Sequence, residues 1–215
     1  MTSSESETPP SEPVEQQGTV SESDSFDSLL QCSDLSGFDF SGCDLHGATL
    51  QGKRLTKTSF ENADLREADL RHADCTAACF NGANLTGALF GNAKLHQASL
   101  RRANLRDTKF DQTDFTLADL READMSGSEF VNVGFNGADL TGVSLNRAKM
   151  IVPRMRTSIL RDVDLSDAEL ESPVLRSTDL RGATLEGTSI ANADTHNANY
   201  DEHHVAILFA TSSKE

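Results

Sequence analysis

From Leu30 to Tyr200 the chain sets a large side chain, almost always apolar, at every fifth position, and the register holds for 35 successive positions without an insertion. Leu fills 20 of these centres, Phe 8 and Met 3; only Cys75, Ile190, Thr195 and Tyr200 differ. Two residues before the centre stands Ala at 18 of the 35 positions and Ser or Thr at nine more. Five is the period of neither regular element. An amphipathic helix needs apolar residues about every 3.6 residues, and a half-buried strand needs them at every second one. The chain therefore repeats whole units, each turning one large and one small residue inward.

The remaining positions are mostly polar, with Asp just before the centre at 13 positions and Gly two after it at 11. Gly and Asn tolerate the positive φ of a tight corner, so each unit reads as one short side ending in a turn. Such sides must close into coils that stack and pair their backbones at about 4.8 Å. The number of sides follows from the spacing of like residues. Phe centres meet Phe centres five times at a separation of 20 (40/60, 60/80, 90/110, 110/130, 115/135), once at 15 and twice at 25. Charges agree: Asp34, Arg54, Asp74, Lys94 and Asp114 alternate in sign at that step, as do Lys109, Glu129, Lys149 and Glu169. Opposite charges so placed are cross-strand pairs worth about 0.2–1 kcal/mol each. Pro153 and Pro173 share a column as well. Four sides per coil, residue n under residue n+20, and about nine coils are expected.

Units such as ADLRE (63–67), ADLRH (68–72), ANLTG (83–87), ANLRD (103–107) and ADLTG (138–142) resemble the pentapeptide-repeat family. The resemblance implies an all-β fold, a right-handed quadrilateral β-helix with the central Leu or Phe and the preceding Ala inside; the handedness comes from the family alone. Three segments are expected. Residues 1–25, with six acidic and no basic residues and little to bury, read as a disordered acidic tail. Residues 26–200 form the β-helix. Residues 201–215 form a C-terminal cap and tail, in which Val205–Phe209 is an apolar run suited to covering a sheet edge or to a dimer contact. Phe26, Leu29 and Leu30 suit the other end, and the family often forms homodimers through its C-terminal end.

The chain has 19 basic and 34 acidic residues, a net charge of −15 and a pI near 4.7, which opposes direct binding of nucleic acid. No stretch approaches the roughly 20 apolar residues of a membrane span, and the first 25 residues lack the pattern of a signal peptide, so a cytoplasmic location is expected. Cys32, Cys43, Cys75 and Cys79 make no CxxC or Cys/His ligand spacing. His46, His72, His96, His196, His203 and His204 fall at outward or cap positions and read as solvated. His203 and His204 are adjacent, with no further metal ligand evident. A rod filled with Leu, Phe and Ala offers no concave site, and no Gly-rich phosphate loop, GxSxG or zincin helix occurs. The reading is a protein that is not an enzyme and takes no cofactor or metal.

Function then belongs to the outer sides. The side centred on Leu45 through Leu185 carries Asp44, Asp64, Glu67, Asp107, Asp124, Asp164, Asp167 and Glu186 against Arg66, Arg106 and Arg147, a net −5. The opposite side, centred on Leu35 through Thr195, nets +3, and the other two net −2 each. One of these two sets Arg101, Arg121, Arg161 and Arg181 beside Asp119, Asp139 and Asp179. The other holds MIVPRM (150–155), where Ile151 and Val152 point outward one coil above Val131. That patch is either a docking spot or a bulge forced by Pro153. A rod of duplex width with ranked carboxylates presents a partner with the charge pattern of DNA. The resemblance adds that some family members are DNA mimics that bind DNA gyrase or topoisomerase IV and protect them from quinolones. This chain resembles the loop-free members of that subgroup in having no insertion between coils but has plain A(D/N)Lxx units where topoisomerase-binding members carry many Phe and Cys at the paired inward positions, and its arginine column partly neutralises one side. The expected function is a protein-interaction rod, with type II topoisomerase as the specific partner and a general binding scaffold or regulatory solenoid as the alternative.

Overall fold

The structure is a computed structural model and describes residues 31–209. The expectations for residues 1–25 and for Phe26, Leu29 and Leu30 lie outside the described residues. Within them the chain is a four-sided parallel β-solenoid. Single-residue bridges join each residue before a centre to its counterpart twenty positions on, as in the column Asp34, Arg54, Asp74, Lys94, Asp114, Gly134, Arg154, Val174, Asp194. On one side, from Lys109 on, the bridges widen into regular strands: β1 (Lys109–Asp111), β2 (Glu129–Val131), β3 (Lys149–Ile151), β4 (Glu169–Glu171) and β5 (Ser189–Ala191). These form one parallel sheet in sequential order, again at a step of twenty.

The backbone bonds of one unit explain its five-residue grammar. In the unit centred on Leu45, the centre donates to Asp64 of the next coil at 2.7 Å and Gly47 donates to Arg66 at 2.8 Å. One coil up, Asp64 donates back to Cys43 at 2.9 Å, and Ala48 closes the corner onto the Leu45 carbonyl at 3.0 Å. Four of the five N–H groups thus have backbone partners. The fifth, one residue past the centre, is taken by the side chain before the centre: Asp44 Oδ1 accepts from the His46 N–H at 3.1 Å. All 13 aspartates in that position make this bond, and so do Asn84 and Asn104. The aspartate preference of the repeat is a turn cap, since a short carboxylate reaches the N–H two residues on.

Closing a side in five residues forces the residue two past each centre into the left-handed region. Every such residue from Gly37 to Asn197 has positive φ, and 22 of them are not glycine. Where glycine does occur, a neighbour often uses the space. A Cβ on Gly127 would lie 2.6 Å from Asp107 Oδ1, and one on Gly187 2.3 Å from Asp167 Oδ1.

The interior holds the paired columns that the sequence predicts. Phe40, Phe60 and Phe80 stack with centroids 5.5 and 5.0 Å apart, Phe90, Phe110 and Phe130 at 5.4 and 4.9 Å, and Phe115 on Phe135 at 5.1 Å. Most alanines two before a centre are buried. Where a buried Ser or Thr replaces them, the hydroxyl donates to a backbone carbonyl, as Thr58 does to Leu35 at 2.8 Å and Ser128 to Leu105 at 2.8 Å, so the polar atom is not left unsatisfied. Pro153 forces no bulge. Strand β3 pairs residue for residue with β2 and β4, and the Pro153 carbonyl accepts from the Val174 N–H at 2.9 Å. On this side the residue after the centre is strand rather than turn, so the corner that receives Pro153 and Pro173 is built differently from the others. After Tyr200 the repeat gives way to a 3-10 turn (Glu202–His204) and a short helix α1 (Val205–Phe209), with Leu208 buried and Ile207 packed on the core.

Val152 is the β-branched residue most at odds with its corner, at φ 52° with 38% of its surface exposed. A left-handed conformation costs most side chains about 1–2 kcal/mol and Asn much less. Val152→Asn, which keeps the 2.8 Å bond from its N–H to Glu171, is expected to stabilise the fold by about 1 kcal/mol, read as a raised urea midpoint. Ile151→Asn, at a residue outside the left-handed region, is expected to give no such gain.

Candidate interaction faces

Among the described residues the surface has shallow depressions rather than a cleft. One of about 450 Å³ lies on the sheet, lined by residues including Lys149, Ile151, Glu169, Glu171 and Asn192. Its charged groups come from two outward rows of successive coils, Lys149 and Glu169 in one and Glu171 in the other.

The eight carboxylates of the acidic side divide into two kinds. Asp44, Asp64, Asp124 and Asp164 stand before a centre and cap turns. Arg66 also clamps Asp64 at 2.6 Å, and Arg106 reaches Asp124 at 3.2 Å. Glu67, Asp107, Asp167 and Glu186 have no such duty and are exposed, with His46 3.9 Å from Glu67. Glu67, Asp107 and Asp167 share one corner row, in which glycine or arginine fills the coils between them.

On the side centred on Phe40 through Tyr200, arginines and aspartates interleave. Asp119 lies 2.5 Å from Arg121 and 3.8 Å from Arg101, Arg121 also reaches Asp139 at 3.6 Å, and Asp179 sits between Arg161 at 2.5 Å and Arg181 at 2.7 Å. This side is partly neutralised by its own ladder. Hydrogen bonds from Arg121 hold Asp119 below the ordinary carboxylate range against partial burial, and those from Arg181 and Arg161 do the same for Asp179. On the basic side Arg54 pairs with Asp34 at 3.2 Å and Arg176 with Asp194, while Lys53 donates to the Cys32 carbonyl at 2.8 Å. Of the alternating columns, Arg54–Asp34 and Lys109–Glu129 (3.8 Å) come within ion-pair range.

The structure sets Val131 directly opposite Ile151, with Val152 beside it. Ile151 is 43% exposed, Val131 is half-buried, and Asp111 and Glu171 bound the row. Leu117 and Ile159 are also exposed, on other sides of the rod; nothing in the period singles them out.

One histidine departs from expectation. His204 is buried, not solvated, and burial together with neighbouring His203 lowers its pKa. The fold also supplies the neighbour that adjacency alone did not, since the ligand-type atoms of Asp201, His203 and His204 lie within 4.8 Å of one another.

The model for pentapeptide repeats matches the chain in 8 copies, at residues 27–62, 54–87, 78–116, 114–147 and 158–194. The chain belongs to the pentapeptide-repeat family. Among solved structures of this family, HetL, a protein involved in heterocyst differentiation regulation in the cyanobacterium Nostoc, is 30% identical with a TM-score of 0.52, covering 77% of this chain and 76% of its own. A pentapeptide repeat protein of the Arabidopsis thaliana thylakoid lumen is 33% identical over 51% of this chain and 66% of its own, with a TM-score of 0.31. QnrB1, a plasmid-mediated fluoroquinolone resistance protein, is 16% identical over 78% of this chain and 91% of its own, with a TM-score of 0.34. No curated protein matches the chain significantly.

Capping and pairing tie this pentapeptide-repeat rod to pH. Because the folded-state pKa values of Asp69, Asp119 and Asp179 lie below their unfolded values, their contribution is complete above about pH 4 and is lost as pH falls through the folded values. The urea midpoint is expected to be flat from neutral pH to about pH 5 and to drop below about pH 4. In Asp119→Asn/Asp179→Asn the turn caps survive, as Asn84 and Asn104 demonstrate, but the acid-side fall is expected to be shallower.

Proposed function

We propose that the protein is a non-enzymatic interaction rod that docks its acidic side against a basic surface of a protein partner, with the DNA-binding channel of a type II topoisomerase, DNA gyrase or topoisomerase IV, as the specific partner. The observation that carries this reading is the division among the carboxylates. Most aspartates of the rod are spent on turn caps, and the side bearing Asp119 and Asp179 is partly cancelled by arginine, yet Glu67, Asp107, Asp167 and Glu186 project from one side without a capping role. A partner reading a rank of charges at multiples of the coil spacing meets it there, opposite the basic side, so the rod has a polarity that orients docking. The regulatory role named for HetL fits an interaction protein of this build. The scaffold reading without a topoisomerase draws on a different feature, the Val131/Ile151 row on the regular sheet.

Supercoiling by purified gyrase, with and without a quinolone, tests the specific partner. Micromolar protein is expected to alter supercoiling or to restore it in the presence of the drug, more strongly at low salt. The pair Asp107→Lys/Asp167→Lys changes side chains without capping duty at a corner type that already accepts Lys57, and is expected to weaken the effect about tenfold, or about 1.4 kcal/mol. No effect of the native protein removes the topoisomerase. Undiminished potency of the double variant removes the acidic side. Loss of other partners on Ile151→Asp moves the binding site to the apolar row.

A further inference from the structure

The C-terminal cap is where chemistry that the repeat cannot repeat comes together. In the turn Asp201-Glu202-His203-His204, ligand-type atoms of three residues lie within 4.8 Å of one another. Two of them meet consecutive residues of the coil beneath. The Gly182 N–H donates to Asp201 Oδ2 at 2.8 Å, which leaves Oδ1 free. The Ala183 backbone lies beside the His204 ring, while His204 Nδ1 is fully buried with no partner. His204 as a whole is 1% exposed. A buried ring nitrogen without a donor is costly in a native protein. A ring beside a backbone carbonyl is placed as metal-binding histidines commonly are, where a bond to such a carbonyl sets the tautomer and leaves the other lone pair for the ion. His203, exposed on the same turn with its ring centroid 4.0 Å from that of His204, supplies a mobile third donor.

We propose that Asp201, His203 and His204 form a site for a divalent transition cation of the zinc class, which clamps the C-terminal cap to the last coils of the rod. Two imidazoles and one carboxylate are a borderline-soft donor set that suits such an ion and does not suit calcium or magnesium, which take oxygen cages. A tetrahedral site with bonds of about 2.1 Å spaces its donor atoms about 3.4 Å apart. The His203 ring, free to swing, closes the difference from the present separation. Three protein donors leave a fourth position for water or for a donor from a partner. The ion satisfies the orphaned Nδ1 and ties the 3-10 turn to residues 182 and 183, so the cap that carries Leu208 onto the core is fastened by coordination as well as by burial.

Calorimetric titration of the full chain with Zn²⁺, and the visible absorption of the Co²⁺ adduct, test the site. One ion per chain is expected to bind saturably, with a four-coordinate Co²⁺ spectrum. His203→Ala removes an exposed ring and Asp201→Asn keeps an oxygen for the Gly182 N–H, so both are expected to fold and to bind at least about tenfold more weakly. His196→Ala is expected to bind as the native chain does. Circular dichroism and the melting temperature of the ion-free variants separate loss of binding from loss of the cap. Failure of the native chain to bind saturably overturns the proposal, and so does equal binding by His203→Ala and Asp201→Asn, which would place the ion elsewhere on this acidic protein.

Discussion

The whole structure depends on a closure condition: twenty residues must bring the backbone back over itself so that each coil's N–H groups meet the carbonyls of the next. Four of the five N–H groups in a unit such as that of Leu45 are consumed by that condition and by the corner. The residue two past every centre is forced to positive φ whatever its side chain, and Leu117, Val152 and Thr157 accept it along with the glycines. Each costs about 1–2 kcal/mol relative to an ordinary conformation. The strain persists because the ladder bonds on both sides of the corner over-determine it. The stacked phenylalanine columns and the small alanines buried beside them offset it by packing the interior.

The same condition decides what the charges mean. The one N–H the ladder leaves over sits one residue past the centre, within reach of a short acceptor two residues back, and all 13 aspartates at that position take it. An acidic protein therefore results even with no partner for its charge. Net charge and face-wise tallies overstate the functional signal, because they count Asp44 or Asp164 equally with Asp107 or Glu186. Once caps and arginine pairs are set aside, what is left on the acidic side is a small set of side chains that the fold does not require.

The fold was legible because its rule is strictly periodic. The step of twenty, the phenylalanine columns and the registration of Val131 with Ile151 all follow from counting, since in a solenoid sequence separation converts directly into position. Three things were not legible. Left-handed corners at Lys57, Leu117 or Val152 have no propensity signal, because closure imposes them against the preference of the residue. The widening into β1–β5 on one side alone had only Pro153 and Pro173 as an outward sign, and a proline at a corner without strand context reads equally well as a bulge. The environment of His204 was hidden because the cap has no period. Its neighbours are Asp201, three residues before it, which the Gly182 N–H holds, and Ala183 in the coil beneath.

Uniform coils make uniform sides, and this limits where specific chemistry can reside. A residue in the middle of the rod has nearly the same surroundings as those twenty before and after it, so the sides present ranks, charged or apolar. Convergence needs a break in the period. The chain breaks it at the C-terminal end, where an open coil would otherwise expose the N–H and C=O groups of a sheet edge. There the 3-10 turn and α1 fold back, Leu208 enters the core, and Asp201 turns its carboxylate to the Gly182 N–H. The need to cover an edge thus brings acid and imidazole groups together at a single point of the molecule. The rod and its end thus differ in kind, the sides presenting ranks of residues at a fixed step and the cap gathering unlike residues where the step ends.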